Sequence, residues 1–187
     1  MQKRKHPFKS IVLLFFVFFF LWVLLQFLAP ISLPSGSVTD LSGVVGFSDN
    51  EQTIQNMSFP WNVVYFSGDR ICHQRADRSL FLNDNQLPFC ARCTAIWLGL
   101  AIGLAFMVVY TIALKETFLI VIVVALLPIG IDGVGQLAGF WESTNLIRIF
   151  TGLPAGIICG IAIGIIIDEL RTLPLFTHHT LFDKPKT

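Results

Sequence analysis

The sequence predicts an all-α, polytopic membrane protein with four transmembrane helices and a long extracytoplasmic loop between the first and second. Three observations carry that expectation. Charged residues make up only 13% of the 187 residues and hydrophobic ones 54%, where a water-soluble domain carries roughly 25% charge. Mean hydropathy is +0.71. The apolar residues are gathered into four runs, each close to the roughly 20 residues that a helix needs to cross a bilayer.

The first run, 11–29, has no charge and is dense in Phe. Its basic start (Lys3, Arg4, Lys5, Lys9) resembles a secretion signal, but its apolar core exceeds the roughly 7–15 residues of one. Ala29-Pro30-Ile31-Ser32 also offers no small-x-small cleavage site, so the run reads as an uncleaved anchor. The second run, 94–114, is uncharged. The third, 117–137, is apolar except for Asp132 and Gln136. The fourth, 149–167, lies between Arg148 and Asp168-Glu169. Hydrocarbon offers backbone groups no partner, so such runs must be helical. The chain then divides into an anchor helix (1–29), a loop (30–71), a core of three helices (72–170) and a tail (171–187).

Orientation follows from Lys and Arg, which favour the cytoplasmic side. With the N-terminus inside, that side holds Lys3, Arg4, Lys5, Lys9, Lys115, Arg171, Lys184 and Lys186; the outer side holds Arg70, Arg75, Arg78, Arg92 and Arg148. Both termini are thereby expected in the cytoplasm of a multi-pass cell-membrane (inner-membrane) protein. The loop begins as a polar linker (Ser32, Pro34, Ser35, Gly36, Ser37, Thr39), and its 58–66 segment, with Trp61 and Tyr65, reads as lying at the headgroup level. His178-His179 in the tail reads as a solvated pair. The lipid bilayer is the expected partner, and a net charge of +1 gives no electrostatic case for nucleic acid.

Gly152, Gly156, Gly160 and Gly164 recur every four residues and share one helix face, the small-residue device by which membrane helices approach closely. Gly99 and Gly103 give the second helix a matching face. The contact is expected within the subunit, with a homo-oligomer through the same glycine zipper as the alternative. Cys159, in an apolar stretch, reads as an inert core thiol. Stepping back by fours from Gly152 reaches Arg148, so Arg148 should face protein. Asp132 and Gln136 likewise share a face. Their helix enters from the cytoplasm, which at about 1.5 Å per residue puts Asp132 roughly 22 Å in, within the outer leaflet. An unpaired Asp there costs about 2.5–3.5 kcal/mol, and Arg92 and Arg148 are the cations placed to meet it. Arg92, Asp132, Gln136 and Arg148 thus form either a structural ion-pair cluster or an intramembrane polar pocket.

Three of the four cysteines fall near the outer end of the second helix: Cys72-His73, then Cys90-Ala91-Arg92-Cys93. A C-x-x-C opening a helix sits where free backbone N–H groups and the helix dipole favour a thiolate. Cys72, His73, Cys90 and Cys93 make a Cys3His set suited to structural zinc, although adjacent residues seldom ligate one tetrahedral ion. The same cysteines suit a thiol-disulfide oxidoreductase, with Cys90, Cys93 and Cys72 as the reactive groups; three outer cysteines favour exchange over a static bridge. A plain disulfide bracing the loop is the third option. Arg75 and Arg78 are anion-binding candidates, since guanidinium forks match phosphate or carboxylate, which leaves binding or transport of an anionic lipid or solute as a further reading. Pairing with Asp69, Asp77 or Asp84 is the bland alternative. No nucleophile–His–acid triad, phosphate-cradling loop or H-E-x-x-H is present.

Cys72-His73-Gln74, Asp77-Arg78-Ser79, Gln86-Leu87-Pro88, Cys90-Ala91-Arg92-Cys93-Thr94, Gly130-Ile131-Asp132-Gly133 with Gln136, and Asn145 with Arg148, Thr151 and Gly152 together resemble an uncharacterised prokaryotic family of integral membrane proteins, domain of unknown function 2085. The resemblance runs from about Cys72 to Gly160 and departs from the family pattern at Ala76 and Ala95, where Pro and Gly are expected. It implies the membrane architecture and a site at these residues. It implies no reaction.

Overall fold

A computed structural model describes residues 9–112 and 115–170. Lys3, Arg4, Lys5, Arg171, Lys184, Lys186, His178-His179 and the rest of the tail lie outside the described residues. In chain order the elements are α1 (Lys9–Ser32), α2 (Glu51–Gln55), α3 (Trp61–Ile71), one 3-10 turn (Ala76–Arg78), β1 (Ser79–Leu82), β2 (Asn85–Cys90), α4 (Ala91–Val109), α5 (Glu116–Leu137) and α6 (Asn145–Leu170). Four of them, α1, α4, α5 and α6, are long and apolar enough to cross a membrane.

The helices begin earlier than their apolar runs, and this matters for the site. Thr144 Oγ1 accepts the N–H of Ile147 at 3.3 Å and its carbonyl accepts that of Arg148 at 3.0 Å, so α6 starts at Asn145 and Arg148 lies in its first turn. A helix start leaves N–H donors without intrahelical partners, and a threonine oxygen supplies one acceptor.

The bundle is organised by α4 against α6. An added Cβ on Gly99 would strike the Leu153 carbonyl, one on Gly103 that of Ile157, one on Gly156 that of Ile96 and one on Gly160 that of Leu100. Gly164 makes room for Met107. The two backbones therefore touch along most of their length, which side chains would forbid. The glycine face of α6 is spent on α4 of the same chain. Val12 of α1 and Phe118 of α5 join Leu100, Leu104, Met107, Ile158 and Ile165 in the core beneath. Lys9 Nζ donates to the Val109 carbonyl at 3.0 Å, tying the start of α1 to the end of α4. α5 packs mainly on α6, and Val123, Val124, Ile131 and Val134 are exposed on a face suited to lipid. Cys159 departs from its expected place: it is exposed rather than in the core.

The segment between α1 and α4 is a folded cap, more structured than a linker with a segment on the membrane surface. Val64 and Tyr65 of α3 are buried with Ala29, Val38, Leu41, Ile54 and Met57 in a second apolar core. The expected surface segment 58–66 thus turns its inner face to protein, while Phe59, Val63 and Phe66 remain exposed. The cap also adds a small β-hairpin to an otherwise helical chain. Ser79 pairs with Cys90 and Leu82 with Asn85, and Asn83 and Asp84 turn the chain with φ of 52° and 57°. Two residues of positive φ match the right-handed twist of the strands they join.

Candidate metal centre

The cap holds Cys72 against the start of α4 through a buried polar network. Gly68 lets α3 lie on β2, since a Cβ there would meet the Pro88 carbonyl. Gln74, fully buried, donates from Nε2 to the carbonyls of Pro88 (2.8 Å) and Tyr65 (3.3 Å). Gln86, also fully buried, accepts the Leu41 N–H at 2.9 Å and donates to the Gln74 carbonyl and to Ser79 Oγ at 3.1 Å. Tyr65 donates its hydroxyl to the Gln86 carbonyl at 2.7 Å; burial pushes its pKa above the ordinary phenol value. Asn85 fixes the first part of the cap, accepting from Val38 N–H at 2.9 Å and donating to the Pro30 and Pro34 carbonyls, each at 2.9 Å.

Held this way, the sulfurs of Cys72, Cys90 and Cys93 all lie within 4.8 Å of one another. The Cys90 N–H donates to Cys72 Sγ at 3.3 Å. All three cysteines are free thiols. Cys90 occupies the N-cap of α4 with no side-chain capping bond. Hydrogen bonds from the Cys72 and Cys93 thiols, then the N–H groups of Cys93 and Arg92, hold its pKa far below the ordinary thiol value. The same contact with Cys90 pushes Cys72 upward. His73 does not join them. Cys72 is buried in extended backbone (φ −138°, ψ 152°) and His73 after it is exposed, as successive side chains of extended backbone leave on opposite sides.

The expected polar cluster forms beside the sulfurs. Arg92 Nη2 pairs with Asp132 Oδ2, which also accepts Gln136 Nε2 at 3.0 Å. Arg148 donates to Asn145 Oδ1 at 3.0 Å and Gln136 Oε1 at 3.4 Å. Asp132 and Arg148 are both 4% exposed, so neither faces lipid. Asn145 and Trp141 carry more than sequence reasoning assigned them: Asn145 Nδ2 donates to the Ser79 carbonyl at 3.0 Å, linking α6 to the hairpin, and Trp141 Nε1 donates to Asp132 Oδ1 at 3.3 Å. The Gly135 position leaves space for that indole, since a Cβ would enter its ring. Arg75 is committed elsewhere. Its guanidinium grips Asp77 with two bonds of 3.0 and 3.1 Å, which raises the Arg75 pKa and lowers that of Asp77. Arg78 reaches Asp77 at only 3.7 Å.

A four-span membrane bundle with a three-sulfur cluster under a folded cap defines the class. The chain belongs to the family described as "Predicted membrane protein", domain of unknown function 2085, whose model matches residues 72–166. It is 42% identical over 89 residues to an uncharacterised protein of Methanothermobacter thermautotrophicus, covering 46% of this chain and 78% of that one. It is 38% identical over 91 residues to an uncharacterised protein of Methanocaldococcus jannaschii, covering 46% of this chain and 56% of that one. No solved structure matches.

Proposed function

We propose that this protein carries a thiolate metal centre, with Cys72, Cys90 and Cys93 as ligands and zinc as the ion, on the extracytoplasmic face of a cell membrane with both termini in the cytoplasm. The observation that carries the reading is the convergence of three sulfurs within 4.8 Å. Thiolates bind zinc at about 2.3 Å, so two ligands of one tetrahedral ion lie about 3.8 Å apart; small side-chain movements bring the three sulfurs to that spacing. Soft sulfur donors with no carboxylate among them suit zinc over magnesium or calcium. Three protein ligands leave a fourth position for water or a small ligand, the pattern of reactive rather than closed structural sites. The basic residues favour the stated orientation. Metal analysis of purified full-length protein tests the reading: about one zinc per chain supports it, and none in protein purified without chelator refutes it.

A second reading, thiol-disulfide exchange, rests on the low pKa of Cys90 with two thiols in reach. In it, the Cys90 thiolate attacks the disulfide of an oxidised dithiol carrier. The mixed disulfide is then resolved by Cys93 or Cys72, leaving a protein disulfide and the carrier's two thiols. Gel-shift alkylation separates the two readings. Exchange requires thiols that vanish on adding oxidised carrier, whereas a zinc site requires thiols that stay reduced and react only after chelation.

A further inference from the structure

We infer that the cleft between Arg78, Arg92 and Gln136 is a binding site for a phosphate group, free or carried on a lipid headgroup. It goes beyond the metal reading and does not depend on it. The cleft has a volume of about 320 Å³ and is lined by Arg78, Arg92, Gly133, Gln136 and Leu137, at the small end of the range for ligand sites. Among the described residues no carboxylate lines it. Arg78 comes down from the 3-10 turn of the cap and Arg92 rises from the first turn of α4, so the cleft lies where cap and bundle meet.

Among the described residues Arg78 Nε and Arg92 Nε are both buried and make no hydrogen bond, Arg78 Nε having only the longer 3.7 Å ion-pair contact to Asp77 Oδ2. A guanidinium keeps its proton in proteins, so these N–H groups remain donors at every relevant pH. The neighbouring carboxylates are engaged elsewhere. Asp132 Oδ2 takes Arg92 Nη2 and Gln136 Nε2, and its Oδ1 takes Trp141. Asp77 is gripped by Arg75. Arg148 stands behind Gln136, and among the described residues its side-chain partners are the amide oxygens of Asn145 and Gln136. Buried donors without acceptors, beside gathered guanidinium groups, call for an anion with several oxygens. A phosphate supplies oxygens to two forks at once. Arg75, an anion candidate by sequence, has no part in this, because its fork is already filled.

The test uses full-length protein in a neutral maltoside detergent. One arm titrates inorganic phosphate by calorimetry against chloride; the other titrates phosphatidic acid by native mass spectrometry against a neutral diacylglycerol. Saturable binding in either arm, weakened tenfold or more by Arg78→Gln and unchanged by Lys115→Gln, supports the site, and the arm that responds names the source. Arg78 is only partly buried, so its substitution leaves the folded bundle intact; a circular-dichroism melt checks this. Cys93→Ser, which removes a proposed metal ligand, leaves phosphate binding in place and so separates this inference from the metal reading. Binding equal in the parent and Arg78→Gln proteins, or absent in both arms, overturns it.

Discussion

The sulfur of Cys90 stands where a strand ends and a helix begins, and that position explains its chemistry. Free N–H groups of the first helical turn point at it, and two further thiols donate to it. A depressed pKa keeps the thiolate populated as pH falls, so in chelator-treated protein iodoacetamide modification of Cys90 should stay nearly constant between pH 8 and pH 6. An ordinary thiol slows about tenfold per unit below a pKa of about 8.5. Mass spectrometry of the labelled peptide reads the rate, and a tenfold loss per unit at Cys90 would contradict the assignment. The companion residue is Gln86, whose amide joins Leu41, Gln74 and Ser79. Gln86→Ala leaves several buried groups unpaired, at about 1–3 kcal/mol for each. It should therefore lower the melting temperature and expose Cys72 to alkylation; a melt and labelling pattern like the parent's would show that the cap does not hold the site.

Among the elements, α4 and α6 depend on backbone contact and α5 does not. Gly156→Val drives a side chain into the Ile96 carbonyl and should cost about 3 kcal/mol or more of stability, seen as loss of monodisperse protein in size-exclusion chromatography. Gly130→Ala, in open space on α5, should be neutral or gain up to about 1 kcal/mol from helix propensity. Equal behaviour of the two variants would refute the packing scheme. The spans and the glycine contact were legible in the sequence because apolar length and a four-residue period are local signals. The cap was not. Its strands are short, Pro88 lies inside one of them, and Asn83-Asp84 is a weaker hairpin signal than Asn-Gly. Gln74 and Gln86 stood inside the family-like motifs, yet a lone glutamine shows its partners only after folding. His73 was grouped with the cysteines by its neighbour in sequence, and it stands exposed where Cys72 is buried.

For the molecule as a whole, the cap turns a bundle of lipid-facing helices into a protein with one polar end. Cys72 and Cys90 arrive from the cap, Cys90 at the end of β2, with Cys93 from α4, Asp132 from α5 and Arg148 from α6, so the cluster exists only when cap and bundle are assembled together. That gathering was legible in the sequence through cost: sulfur and charge among apolar runs had to meet somewhere. The proposed orientation predicts that a membrane-impermeant maleimide labels Asp40→Cys in intact cells and leaves Lys115→Cys unlabelled until the cells are opened; the reverse pattern would invert the topology. The most direct measurement of the central claim is the zinc content of the purified chain, by plasma mass spectrometry, beside Cys90→Ser and Cys93→Ser. A thiolate zinc centre gives about one zinc per parent chain and near none in either variant with the fold retained. Metal-free parent protein, or the same zinc in all three, would contradict it.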